Sequence, residues 1–325
     1  MSASINRRHF LKATAAGMAG AAFLGNQEWV EGAKAIAAEP VRVAVIGIGG
    51  PGKDGGPNGR GWENVQEMCE EAGDGVRIVG LCDVDSARVV DVRRMFPQAF
   101  FTDDFRRIMD RKDVEAVLVA TPDHTHAVIA AAAMRAGKHV YCEKPLAHDV
   151  HEIRTMIDLA QQHHTVTQMG TQIHSWDNYR RVVEIIKAGT IGSINRVKVW
   201  VTDLPRPGQL GRTGATPPSS LNYDLWLGPA PYRPYDESHL HFVWRYWWDF
   251  GGGVLADMAC HYIDLAHWAL DLSRPVKVSA TDAHIDYVGD NFVPSRMQVE
   301  LHYPARQSQP PRASYLVPWR PRARP

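Results

Sequence analysis

Cysteine is scarce in this 325-residue chain, with four in all. Cys69, Cys82, Cys142 and Cys260 share no CxxC or CxxH spacing, so neither a zinc site nor a redox pair is written into the sequence. Each sits in an apolar-periodic segment and is expected as a buried free thiol, not half of a disulfide. Net charge is missing too: 36 Lys and Arg stand against 36 Asp and Glu. No overall field draws such a chain to nucleic acid or an anionic membrane, which excludes nucleic acid as a partner. Long apolar runs are also lacking. The weakly apolar residues 13–25 fall short of the roughly 20 that a spanning helix needs, so no membrane span is expected in the mature chain. No internal repeat is visible. What remains is an ordinary globular composition, 45% hydrophobic and 22% charged, at a length that suggests about two domains.

The first 37 residues read as an address. Arg7-Arg8 is followed by Phe10, Leu11 and Lys12 and then by an Ala/Gly-rich stretch, a pattern that resembles a twin-arginine export signal. Ala35-Ile36-Ala37 supplies a small-residue cleavage site. Export to the periplasm or another extracytoplasmic space is expected. An N-terminal anchor or an uncleaved signal is the alternative.

From residue 38 onward, short β-branched runs alternate with helix-period segments. Strands are expected at residues 41–46, 76–82, 114–120 and 139–142, with helical periodicity around 62–72, 89–95, 127–136 and 150–160. This alternation predicts a Rossmann-type α/β domain over 38–172, a doubly wound parallel sheet with right-handed crossovers. The pattern changes after Thr171. A helix ends at Gly189, residues 196–202 are strand-like, and a Pro/Gly-rich loop runs over 204–238. A helix over 254–270 precedes strands at 276–284 and 296–303. Strands without interleaved helices predict an α+β domain over 173–317 with a mostly antiparallel open sheet. Residues 318–325 form an irregular Pro/Arg tail.

Gly47-Ile48-Gly49-Gly50-Pro51-Gly52 follows the first strand and matches GxGxxG, a turn that lets backbone approach a pyrophosphate. The helix after it is delayed by a glycine-rich excursion, so Gly59 or Gly61 competes with Gly52 for the helix-packing role. Asp83, at the end of the second strand, offers a carboxylate to ribose hydroxyls. It lies 36 residues past Gly47, and the excursion accounts for much of that spacing. The carboxylate favours NAD, with NADP as the alternative.

Two further segments carry chemistry: Thr121-Pro122-Asp123-His124-Thr125-His126 leading to Glu143-Lys144-Pro145, and Asp249-Phe250-Gly251-Gly252-Gly253 followed by Asp257, His261 and Asp264. With Trp226-Leu227-Gly228-Pro229-Ala230-Pro231 and the aromatic run through Trp244, Tyr246, Trp247 and Trp248, they make the chain resemble the glucose–fructose oxidoreductase and inositol dehydrogenase family (Gfo/Idh/MocA). The resemblance spans residues 41–311. It implies a nicotinamide-dependent oxidoreductase acting on a sugar, polyol or cyclitol. It also implies Lys144 as the group that hydrogen-bonds the reacting oxygen, His261 as general base or acid, and Asp257 at the substrate. Thr121, Pro122, His126, Glu143 and Lys144 are implied at the cofactor, and Gln172, with Gln168, at the substrate. A satisfied loop histidine at 124 or 126, and a polar strand edge at 168–172, are the plainer alternatives. Asp257 and His261 are four apart and share a helix face. A metal site through Asp257, His261, Asp264 and His267 is the competing reading, although hydride transfer to nicotinamide needs no metal. Asp264 is expected to be structural.

The chain departs from the family at its end. Members of the exported type usually continue past Tyr303-Pro304-Ala305-Arg306, whereas Pro318, Pro321 and Pro325 here break any ladder. The second sheet is therefore expected to be incomplete and open to pairing between copies of the chain. Two other functions stay open: a redox-neutral NAD-using glycosidase, although such relatives tend to lack Glu-Lys-Pro, and an inactive truncated remnant. A tightly held cofactor is expected of an exported member.

Overall fold

The computed structural model describes residues 39–52, 58–201, 214–284, 293–294 and 296–304. The export signal, residues 53–57 of the glycine-rich excursion and the tail after Val317 lie outside the described residues. The chain divides into two compact units. Thr125–Met169 and Pro218–Gly228 join the N-terminal segment in the first; Pro122–His124, Gly170–Pro217 and the chain from Pro229 belong to the second.

In the first unit β1 (Val41–Ile46) leads to α1 (Arg60–Ala72), β2 (Val76–Cys82), α2 (Val90–Met95), β3 (Phe100–Thr102) and α3 (Arg106–Met109). Then come β4 (Ala116–Val119), α4 (Asp123–Arg135), β5 (His139–Glu143), α5 (Val150–Gln162) and β6 (Thr167–Gly170). The six strands lie in the order β3-β2-β1-β4-β5-β6, and the pairs β1–β2, β1–β4, β2–β3 and β4–β5 are parallel. A doubly wound sheet buries both faces, and period-two alternation shows why these residues build it. Val43, Val45 and Leu118 enter one core with Trp62 and Val65 of α1. Their neighbours Ala44, Ile46, Val117 and Val119 enter the opposite core with Ala130, Ala133 and Met134 of α4. Truncating such a residue to Ala typically costs about 2–5 kcal/mol. Asp149 starts α5 with a capping box closed by Glu152.

β3 was not anticipated, being only three residues long, and α4 begins at Asp123, four residues before the expected start. His124 and His126 are therefore helical, not loop, residues. Cys82 and Cys142 are buried and Cys69 and Cys260 half-buried, all as free thiols; burial pushes the Cys82 thiol well up.

The second unit holds α6 (Asp177–Lys187), α8 (Gly253–Ala269) and the antiparallel pair β7 (Lys277–His284) and β8 (Arg296–His302); α7 (Tyr223–Leu227) belongs to the first. The strand expected at residues 196–202 is a correction: the described residues 196–201 make no ladder. Alternation survives without pairing. Val199 and Val201 are buried and Trp200 is exposed, while Val197 and Val199 pack with Ala266 of α8, Leu301 and Tyr303. Period two reports which face is buried, not whether a partner strand is present.

Candidate cofactor and active site

The sheet order reverses direction at β1 and β4, the crevice where open α/β sheets take ligands. Gly47 leaves β1 at φ +77°, and a β-carbon there would lie 2.7 Å from the Thr121 backbone nitrogen, so the turn and the end of β4 touch through glycine alone. The turn is pinned to β2. Gly47 N–H donates to Cys82 O at 2.8 Å, and Gly49 N–H donates to Asp83 Oδ2 at 2.7 Å. Asp83 Oδ1 accepts the Asp85 N–H at 2.9 Å. Gly61 is the packing glycine: a β-carbon on it would meet Gly47 O at 2.4 Å, and one on Gly59 would meet Gly49 Cα at 2.8 Å. Gly52 does not hold that position. It borders residues outside the described set and donates its N–H to Asn58 at 2.8 Å. Gly59, the N-cap of α1, has no side chain with which to cap the first-turn N–H groups, and such groups favour an anion. A glycine-rich turn, a helix that starts at a glycine and a carboxylate at the β2 tip fit a dinucleotide.

Around the tips of β4 and β5 the structure gives each expected residue a partner. Glu143, 4% exposed, accepts from Asn64 at 2.7 Å and from Arg60 Nε at 3.2 Å. It thereby ties β5 to α1 through protein donors. Burial alone would lower the Arg60 pKa, but Glu143, Glu63 and Glu67 outweigh it and raise it above its ordinary value. Lys144, half-buried, begins the loop after β5. His126 is 1% exposed; its Nδ1 lies 2.8 Å from Pro145 O and its Nε2 2.8 Å from Thr121 O. Its ring therefore joins the loop carrying Lys144 to the end of β4. Thr125 donates to the Thr121 hydroxyl at 2.8 Å. Pro122 belongs to the second unit, as does His124, which contacts Phe250 O at 3.3 Å. Gln168 bonds the neighbouring Met169 carbonyl at 2.9 Å.

In the second unit α8 presents Asp257, His261, Asp264 and Trp268 at helical spacing. Asp257 pairs with Arg245 Nε at 3.3 Å, and that guanidinium stacks 4.3 Å from the Trp244 ring centre. His261 is 7% exposed, and Tyr179 donates to its carbonyl oxygen at 3.1 Å. Burial pushes the Tyr179 phenol up to about 12, so it remains a donor. Asp264 bonds His174 Nδ1 at 2.7 Å, and His174 stacks on Trp268 at 4.2 Å. His267 lies 2.7 Å from the Tyr303 hydroxyl. The four residues of the competing metal reading thus have separate neighbours, and among the described residues no three His, Cys, Asp or Glu gather as a metal set would. Gln172 opens the short turn that carries His174.

Sequence reasoning passed over Arg60, Arg88, Arg245 and His174. Arg88 stands five residues past Asp83, and a β-carbon on Gly49 would lie 3.7 Å from its Nη2. Its +5 offset from the acid was the available signal.

The strand order, the glycine turn and the acid at β2 define a dinucleotide-binding protein of the Rossmann class. Family models agree: "oxidoreductase family, NAD-binding Rossmann fold" matches residues 41–171, and that family's C-terminal alpha/beta domain matches residues 198–303. The chain belongs to the Gfo/Idh/MocA oxidoreductase family. A twin-arginine translocation signal model matches residues 4–24. The chain is 30% identical over 211 residues to a glycosyl hydrolase family 109 protein of Shewanella putrefaciens, covering 59% of this chain and 44% of that protein. It is 30% identical over 191 residues to levoglucosan dehydrogenase of Pseudarthrobacter phenanthrenivorans, covering 58% and 41%. It therefore spans less than half the length of the curated relatives it matches. The fold is similar to the WlbA dehydrogenase of Chromobacterium violaceum, solved with NADH and UDP-GlcNAcA, at TM-score 0.62 and 20% identity, covering 87% of this chain and 68% of that one. Among the described residues no helix is long and apolar enough to cross a membrane.

Proposed function

We propose that this protein is a nicotinamide-dependent oxidoreductase that moves hydride between NAD and a hydroxyl or carbonyl carbon of a sugar, polyol or cyclitol. The observation that carries the reading is the Gly49–Asp83 hydrogen bond at 2.7 Å, which locks a glycine turn to an acid at the β2 tip. Gly47, Gly49, Asp83 and Thr121 hold the cofactor, which when bound supplies the hydride acceptor. Glu143 and His126 act one step back, by fixing α1, β4 and the loop that starts with Lys144.

In oxidation the substrate carbon loses hydride while its hydroxyl proton passes to the His261 imidazole. For Lys144 the family resemblance supports donation by its ammonium to the reacting oxygen as alkoxide character develops. Asp257, held by Arg245, and Gln172 orient the substrate. Lys144→Ala or His261→Ala should lower turnover by about 10² or more while NADH affinity stays nearly constant. Stopped-flow turnover and fluorescence titration check this, and near-normal turnover in either variant rejects the role.

The names of the curated relatives favour one second reading, a glycosidase that oxidises and then re-reduces its substrate on a bound cofactor. A panel of free sugars and nitrophenyl glycosides separates the two. Net NADH formation supports the oxidoreductase, and NAD-dependent glycoside cleavage with no net NADH supports the glycosidase. The match at residues 4–24 supports export through the twin-arginine route to the periplasm or its equivalent, which Arg7→Lys with Arg8→Lys should abolish in cell fractionation. The open β7–β8 sheet, beside exposed Val276 and Val278, is the surface we assign to pairing between copies; a concentration-independent monomer in sedimentation would reject that.

A further inference from the structure

One motif remains unexplained by the chemistry above, the segment that ends in Trp226-Leu227-Gly228. Pro218–Gly228 is part of the first unit although the chain on both sides of it belongs to the second. Backbone bonds fasten its front to the loop directly after Asp83. Asn222 N–H donates to Val84 O at 2.8 Å and Ser86 N–H donates to Ser220 O at 2.9 Å, with Asp85 and Leu221 forming an antiparallel bridge. The Ser86 hydroxyl adds a second bond to Ser220 O at 3.2 Å. Asn222 Nδ2 reaches past this loop to Asp103 Oδ2, next to the β3 tip, at 2.9 Å. The Asn222 Oδ1 meanwhile accepts the Leu225 N–H at 3.2 Å and so starts α7. At the far end Gly228 adopts φ +51°, and a β-carbon there would press on the Thr125 methyl at 3.1 Å. Thr125 is the residue bonded to Thr121 at the end of β4. The segment is thus fixed at one end beside the acid of β2 and at the other beside the tip of β4, along the strand-end edge of the sheet.

We propose that Pro218–Gly228 is a strap that completes the adenosine side of the cofactor site, with Asn222 as its positioning residue. This rests on the NAD reading above. The physical reason lies in Asp83, whose Oδ1 is oriented by the Asp85 N–H. Asp85 is itself bridged to the strap, so the strap sets the direction of the carboxylate that meets the ribose hydroxyls. A carboxylate aimed in advance binds without first being ordered. Asn222 links the strap to Asp103 and starts α7, so its two functions can be separated by substitution.

The test uses the full chain and two half-cofactors, ADP-ribose and reduced nicotinamide mononucleotide, with NADH as reference. Asn222→Asp keeps a carboxylate oxygen for the Leu225 N–H but loses the donor to Asp103 and places two acids together. It should weaken ADP-ribose and NADH about three- to tenfold and leave the nicotinamide half within about twofold. Combining Asn222→Asp with Asp103→Asn restores a donor–acceptor pair and should recover most of the loss. Asn222→Ser, which keeps the cap and cannot span to Asp103, should show the same selective loss and serves if Asn222→Asp folds poorly. Equal weakening of both halves, or no rescue by the paired exchange, would show general loosening and overturn the strap. Unchanged ADP-ribose affinity in both single variants would overturn it too, leaving the NAD reading intact. A wild-type chain that binds neither NADH nor ADP-ribose would remove the NAD reading itself and the strap with it.

Discussion

Asp83 and Arg88 place opposite charges by the same glycine turn. Asp83 accepts one backbone N–H on each oxygen, from Gly49 on Oδ2 and from Asp85 on Oδ1. Arg88 Nη2 approaches Gly49, and among the described residues no carboxylate is paired with that guanidinium. In the native chain the acid is expected to repel a 2′-phosphate and so to favour NAD. Asp83→Ser should therefore narrow or reverse the preference for NAD over NADP, and adding Arg88→Ala should cancel the gain in NADP affinity. Titrating both cofactors against the three proteins checks this; a native chain that already prefers NADP would contradict it. The positions of Gly47, Asp83 and Lys144 at strand ends were legible because each directly follows a β-branched or apolar run. Arg245 was not, since its partner Asp257 lies on another element and no spacing rule links them. The same holds for Arg60, whose bond to Glu143 spans 83 positions. Spacing alone left Gly52, Gly59 and Gly61 as candidates for the helix-packing role, because that role needs close backbone contact, which Gly61 makes with Gly47 O.

Elements were readable where burial and pairing coincide. The strands of the first sheet are buried on both faces and their apolar runs mark them directly. Residues 196–201 alternate as a strand does and are not one, because α8 supplies the burial without a ladder. β3 escaped because Phe100-Phe101-Thr102 is too short to show a period. The contact between β5 and β6 shows what pattern reading also misses, a side chain standing in for a ladder group. Val166 N–H donates to His139 Nδ1 at 3.0 Å, which requires that nitrogen to be unprotonated. Burial lowers the His139 pKa below 6.5, and Glu115 offsets this only in part. In the unfolded chain the imidazole takes up its proton first as pH falls. The unfolded state then binds more protons, so stability drops from about pH 6.5 downward until the folded value is passed. Urea unfolding of the first unit between about pH 7.5 and 5 should show this slope, and His139→Gln should flatten part of it. An identical slope in that variant would assign the pH dependence to other groups.

At the scale of the whole molecule, a twin-arginine signal on a nicotinamide-binding chain poses a supply problem. Free NAD is expected to be scarce outside the cytoplasm, and an exported dehydrogenase that released its cofactor each turnover would soon be empty. The twin-arginine route carries proteins already folded, which lets the cofactor be loaded first. Retention then demands that one substrate reduce the bound cofactor and a second reoxidise it, a ping-pong cycle. Residues 53–57 of the glycine-rich excursion and the chain before Glu39 lie outside the described residues. Purified protein, dialysed at length and then denatured, should release about one equivalent of nicotinamide cofactor per chain, as a residence time of days would give. Steady-state kinetics with two sugars should give parallel double-reciprocal lines. An empty protein after dialysis, active only when NAD is added, would reject retention. Because this chain spans less than half the length of its curated relatives, the same assay belongs on a full-length relative alongside it. Retention there but loss here would assign the difference to the part of the relative that this chain does not match, and loss in both would refute the cycle.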